Sequence, residues 1–154
     1  MPEKGTVLIA VGLETTGRPD VQDVHRCSRS VESVFACKGR RVERLYVREE
    51  DFPDLTRIRE QIRSRSPLRV FNLFEGFSED PVKEIYFARM LEDLGVPFTG
   101  NPSKTLGSCL DKQNAKRILA ECSIPVPRGV FLEGPHIPPL EGLEFPLFIK
   151  PCFE

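Results

Sequence analysis

Apolar residues along the chain fall into two textures. "TVLIAV" (Thr6–Val11), "RVERLYV" (Arg41–Val47), "LRVFNL" (Leu68–Leu73) and "VPFTG" (Val96–Gly100) are short runs, the first and third almost continuously apolar. That is the pattern of strands buried on both faces of a parallel sheet. Between the runs, apolar residues recur at helical spacing. Asp20 is placed to cap a first helix with Val21, Val24, Val31, Val34 and Phe35 on one stripe, closed by Gly39. Asp54 is placed to cap a second, with Leu55, Ile58 and Ile62 inward. A third carries Val82, Ile85, Met90, Leu91 and Leu94 inside and ends at Gly95. The order βαβαβαβ with short connections predicts an α/β fold built on a doubly wound parallel sheet.

Beyond Gly100 the texture changes. "NPSKTLGSCLDKQNAKRILAECSIPVP" reads as helical and runs into a proline-rich link. Two more short apolar runs, "GVFLEG" and "FPLFIK", read as strands with few partners, too short a piece to cover its own apolar faces. This divides the chain into an N-terminal α/β domain over 1–122 and the incomplete start of a second domain over 123–154.

Composition narrows the class. With 154 residues and a formal net charge of −1, the chain has no basic footprint for nucleic acid. No apolar run approaches the roughly 18 residues that would suggest a membrane span. The opening run is short and reads as a first strand rather than an export signal, so a cytoplasmic location is expected. The five cysteines, Cys27, Cys37, Cys109, Cys122 and Cys152, form no CxxC pair and read as reduced thiols. With two histidines, His25 and His136, in unrelated contexts, no zinc site is expected.

In an open α/β sheet ligands bind outside the carboxyl ends of the strands. Three loops qualify: Gly12–Asp20, Phe74–Asp80 and Thr99–Lys104. The first, with "GLETTG", lacks both GxGxxG and a following GK, so it is neither a dinucleotide fingerprint nor a Walker loop. The second gathers Glu75, Gly76, Glu79 and Asp80. Glu79 and Asp80 also suit the negative first turn of the next helix. Glu75 and Gly76, at the strand end where the backbone must turn, are the candidate substrate-binding residues.

The ordered series "VFNLFEG…LEDLGVPFTGNPSKTLGSCLDKQNAKRILAECSIPVPRGV…FPLFIKP" resembles the D-alanine–D-alanine ligases and their relatives in the ATP-grasp superfamily. The likeness covers about residues 69–154. It implies a Rossmann-like pre-ATP-grasp domain followed by the start of an ATP-grasp domain. It also implies an ATP-dependent carboxylate–amine ligase of cell-wall biosynthesis, working through an acyl phosphate with ATP and magnesium. Lys112, in "LDKQNAK", matches a family lysine that reaches the ATP phosphates, and Lys150, in "FIKP", the lysine on the strand beside the nucleotide. Glu154 matches the glutamate that opens the glycine-rich loop over the phosphates. The family's acidic magnesium ligands and acyl-phosphate arginine would lie further on. The chain is therefore expected to be the N-terminal part of a ligase, inactive alone, with no catalytic residue, metal ligand or bound cofactor of its own. The resemblance leaves room for a homodimer through the N-terminal domain.

Two departures bear on the substrate. Val21 stands where the family has the glutamate that holds the first D-alanine, so the loop is rebuilt, with Glu14 or Asp20 as the candidate substitute for that glutamate. Glu75 stands where a histidine is common. Both point to a relative using another amino acid or small carboxylate. Two other readings stay open: a non-catalytic α/β module that binds a ligand or partner, and another ATP-grasp ligase of biotin carboxylase or glutathione synthetase type.

Overall fold

The computed structural model describes residues 5–14, 19–52 and 54–153, with Asp20 described by its backbone alone. The chain forms two compact units, Met1–Leu106 and Gly107–Glu154.

The first unit is a three-stranded parallel sheet in the order β2-β1-β3. β1 is Thr6–Gly12, β2 Arg41–Val47 and β3 Arg69–Asn72. β1 pairs with β2 from Thr6↔Arg41 to Gly12↔Val47, and with β3 from Val7↔Arg69 to Ala10↔Asn72. Val7 to Val11 are all buried, as the unbroken apolar run requires of a central strand.

Alternation along β1 sends side chains to two cores. Leu8 and Ala10 join Leu45, Val47 and Val70 in a cluster with Ile58 and Ile62 of α2 (Thr56–Arg65) and Phe87, Met90 and Leu91 of α3 (Lys83–Asp93). Ile9 shares the other face with its rung partners Arg44 and Phe71. There α1 (Pro19–Cys37) meets the sheet: Phe35 packs edge-on against Phe71 at 6.0 Å, and Glu32 pairs with Arg44. Helices on both faces make the sheet doubly wound.

Helix closure is repeated. α1 ends with Gly39 donating to Ala36 (2.9 Å) and Arg40 to Phe35 (3.0 Å). α3 ends with Gly95 donating to Glu92 (2.9 Å) and Val96 to Leu91 (3.3 Å). Both are Schellman closures, with glycine at φ +66 and +64 in the left-handed position. In the second unit α5 (Lys112–Glu121) closes in the same way through Ser123 at φ +60.

Several expectations need correction. Val34 is exposed. The buried stripe of α1 instead includes Ser28, whose hydroxyl donates to the His25 carbonyl. α1 begins at Pro19, a residue suited to a first helical position, so Asp20 lies inside the helix rather than capping it. Val82 precedes α3 and is exposed, while Phe87 fills the core. Leu55, not Asp54, is the N-cap of α2, at φ 56. That conformation costs a leucine roughly 1–2 kcal/mol, but its buried side chain returns roughly 1.5–3 kcal/mol. Asp54 accepts from the Thr56 N–H at 3.0 Å.

The expected fourth strand is a single parallel bridge, Val70↔Phe98. Val70 donates to the Pro97 carbonyl (2.8 Å) and accepts from Thr99 (3.0 Å). At the next rung the Asn72 N–H bonds to the Thr99 hydroxyl instead of a main-chain carbonyl, and the ladder stops.

The stretch after Gly100 is helical, as two helices, α4 (Ser103–Leu110) and α5, and the boundary between the units falls inside α4. Asp111 separates them, its carboxylate accepting from Gln113 and Asn114 at 2.9 and 3.0 Å as the α5 N-cap. Neither "GVFLEG" nor "FPLFIK" is a strand. Phe148 and Ile149 are 93% and 86% exposed, because a strand exists only by pairing and no described residue pairs with them.

Gly95 has no atom within 4 Å of where a Cβ would sit, so Gly95→Ala tests backbone strain alone. It should cost about 1 kcal/mol. Urea unfolding should show a lower midpoint with an unchanged slope. An unaltered midpoint would mean that the α3 closure does not need a left-handed glycine.

Candidate functional site

β1 leads to β2 on one side and to β3 on the other, so the winding direction reverses between β1 and β3. At such a switch point the loops leaving the two strands diverge and leave a crevice at their carboxyl ends. Here those loops are the described part of Gly12–Asp20 and Phe74–Asp80. Residues 15–18 of the first lie outside the described residues.

The two loops touch. A Cβ on Gly12 would come within 3.3 Å of the Phe74 ring and 3.7 Å of the Gly76 carbonyl oxygen. Glu14 accepts two hydrogen bonds from Ser78, the N–H to Oε1 at 2.6 Å and the hydroxyl to Oε2 at 2.7 Å. Leu13 donates to the Val47 carbonyl at 2.8 Å, which ties the same loop to β2.

Glu75 and Gly76 stand together just past β3, beside the Glu14 loop. Gly76 has φ +83, and a Cβ there would lie 2.8 and 2.9 Å from Pro81 main-chain atoms. Both facts restrict the position to glycine. Phe77 and Asp80 exchange main-chain hydrogen bonds and close the loop. The ring of Phe74 packs edge-on against Phe77 and Phe87, each at 5.1 Å, which anchors the loop in the core.

Lys83, at the start of α3, holds the far side. Its ammonium lies 5.5 and 5.6 Å from the Phe52 and Phe77 ring centres and pairs with Glu49 (3.3 Å) and Asp80 (3.5 Å). Asp80 also accepts from the Val82 N–H at 3.2 Å. It therefore organises the turn before α3 instead of lying in the helix's first turn. Glu79 is exposed.

Glu75 is exposed, and Glu84 on α3 is half-buried. Burial pushes the Glu84 carboxyl above the ordinary glutamate range, and the nearby Glu75 charge adds to it. Ser78, Lys83 and Glu84 carried no sequence signal. Ser78 is one polar residue in a polar loop, and the other two read as ordinary first-turn charges.

Lys112 and Lys150 belong to the second unit. Lys112 is the first residue of α5, half-buried, and its N–H donates to the Cys152 carbonyl at 3.0 Å. Asp111 forms an antiparallel bridge with Phe153 and accepts from the Cys152 thiol at 3.5 Å. The segment that follows Lys150 is thereby held against the start of α5. Lys150 itself is exposed, on no strand, with its ammonium 5.6 Å from the Phe148 ring centre. Glu154 lies outside the described residues. A cavity of about 400 Å³ in this unit is lined by residues that include Gln113, Phe131, Glu133 and His136.

Among the described residues no group of three or more His, Cys, Asp or Glu could hold a metal ion. None of their helices is long and apolar enough to cross a membrane.

No family model matches the chain. Over about two-fifths of its length it is similar to D-alanine–D-alanine ligases. That of Halorhodospira halophila is 39% identical over 67 residues, 42% of this chain and 21% of the relative. That of Bacillus anthracis is 38% identical over 64 residues, 40% of this chain and 21% of the relative. That of Polaromonas naphthalenivorans is 37% identical over 70 residues, 42% and 22% respectively. The chain spans about a fifth of the length of the curated relatives it matches.

Glu84 supplies a pH test. Its folded-state pKa is raised, so its burial costs nothing below the ordinary glutamate range, where the carboxyl is protonated in both states. Stability is lost as pH rises from there through the folded value. Glu84→Gln should therefore match the unsubstituted chain near pH 3 and exceed it in thermal stability near pH 8. A glutamine variant that is less stable at pH 8, or whose difference does not vary with pH, would contradict the assigned burial.

Proposed function

We propose that this chain is the N-terminal portion of an ATP-dependent carboxylate–amine ligase of the D-alanine–D-alanine ligase type. The observation that carries this is the similarity to several D-alanine–D-alanine ligases at 33–39% identity over about two-fifths of the chain. The doubly wound unit with its crevice at the β1/β3 switch point is compatible with it.

In this reading the two units serve opposite charges. Glu75 and Gly76 line the crevice for the amino acid. The carboxylate faces the ammonium group, and glycine lets the backbone approach closely. Lys112 and Lys150 attract the phosphates of ATP, with Glu154 in the loop beyond. ATP supplies the phosphoryl group that activates the carboxylate for attack by the second substrate's amine. The lysines would offset charge on the phosphates as it is redistributed. The described residues do not fit a magnesium ion, so its ligands would lie elsewhere in the ligase. The chain on its own is not expected to sustain turnover.

The experiment is phosphate release from ATP by the full-length protein carrying this chain, with a panel of D- and L-amino acids. Release that depends on both magnesium and an amino acid is expected. Binding of neither nucleotide nor amino acid would sink the reading. Within that assay Lys112→Ala should weaken ATP use by about 1.5–3 kcal/mol, the worth of a hydrogen bond to a charged group. The ranking of amino acids should stay as it was. An altered ranking with unchanged ATP dependence would move Lys112 out of the phosphate site.

A further inference from the structure

β2 forms an edge of the sheet, paired with β1 on one side and, among the described residues, with no strand on the other. The Leu13 N–H reaches the Val47 carbonyl, so Val47, and by alternation Leu45 and Glu43, turn their main-chain groups toward β1. Val42, Arg44 and Tyr46 turn theirs outward. The outward carbonyl of Tyr46 is already taken: Arg57 Nη2, from α2, donates to it at 3.0 Å. The guanidinium that reaches it is fixed. Its Nε and Nη2 both donate to the buried Asp51 carboxylate, which also accepts from the Arg48 N–H at 2.7 Å. The opposite side of the sheet ends in the same manner, with the Thr99 hydroxyl on the Asn72 N–H. Each side thus has a ladder position filled by a side chain.

An open strand edge invites another strand, and the one of equal length that is always present is β2 of a second copy. The segment "RVERLYV" can pair with itself antiparallel about Arg44, which brings Val42 opposite Tyr46. In that register the Val42 N–H of each copy needs the Tyr46 carbonyl of the other, the group that Arg57 occupies. We propose that Arg57, held by Asp51, closes the β2 edge against a second copy of this chain. The residue type matters: Nη2 carries two hydrogens, so one can meet the carboxylate while the other meets the strand.

The test is sedimentation velocity of the full-length protein over a range of concentrations, with hydrogen exchange along β2. Arg57→Ala alone would leave the Asp51 charge buried and unpaired. Arg57→Lys keeps a cation beside Asp51, and the fold with it, but lacks the fork that serves carboxylate and strand together. Arg57→Met combined with Asp51→Asn removes both charges and leaves an acceptor for the Arg48 N–H. Both variants should self-associate beyond the state of the unsubstituted protein, with an association constant raised on the order of tenfold or more. The Val42 and Arg44 amides should become protected in step with concentration. Adding Val42→Pro, at an N–H that takes no part in the β1 ladder, should abolish the gain. Arg65→Met, which removes another arginine of α2 and its ion pair with Glu43 of the same strand, should leave association as it was. A folded variant at Arg57 that stays at the native association state would overturn the proposal, as would a gain that survives Val42→Pro or that Arg65→Met reproduces.

Discussion

The pairing of β1 with a neighbour on each side is the constraint on which the rest of the first unit depends. A central parallel strand is shielded on both faces, and here Val7 to Val11 are buried without a break. Each buried valine, leucine or isoleucine among them contributes roughly 1.5–3 kcal/mol. No helix on one face alone could cover them. α1 must lie on one side and α2 with α3 on the other, and right-handed crossovers then send the chain to β2 in one direction and to β3 in the other. Such a reversal is where an open α/β sheet takes its ligands, whatever residues stand there.

What those residues add is definition. The loop after β3 is pulled inward by Phe74, turned by Gly76, closed by Phe77 and Asp80 and held from outside by Lys83 between two rings. The loop after β1 has no comparable aromatic anchor among its described residues and is fixed by hydrogen bonds instead. Among the described residues, core packing holds the loop after β3 and hydrogen bonds hold the start of the loop after β1. Hydrogen bonds to a carboxylate such as Glu14 contribute roughly 1.5–3 kcal/mol each, comparable to the burial of one phenylalanine.

The three parallel strands, both glycine helix closures and the position of Glu75 and Gly76 just past a strand were legible because each is written locally. A continuous apolar run, a glycine after the last helical residue and a glycine after a strand act within a few positions. Where long-range geometry decided, the sequence was silent or misleading. Val34 and Val82 are apolar, but no element covers them, whereas Ser28 is polar and buried because its hydroxyl can return to the helix backbone. "VPFTG" has strand composition, yet the Thr99 side chain takes the next ladder position. "FPLFIK" has strand composition and no partner among the described residues. The Glu14–Ser78 contact could not be seen at all, since nothing in a serine flanked by Phe77 and Glu79 marks what lies 64 residues upstream.

Neither unit carries a large net charge, so charge acts locally. In the first unit Glu14 accepts from Ser78, while burial, with the nearby Glu75 charge, raises the proton affinity of the half-buried Glu84. Like charges so arranged favour a cation, and an ammonium group suits them better than a carboxylate would. The start of α5 is mixed, with the Asp111 carboxylate capping the helix beside Lys112 and the Lys112 N–H holding the segment that follows Lys150. Under the ligase reading, an ammonium group and a polyphosphate need different surroundings, because a site suited to polyphosphate would repel the ammonium group.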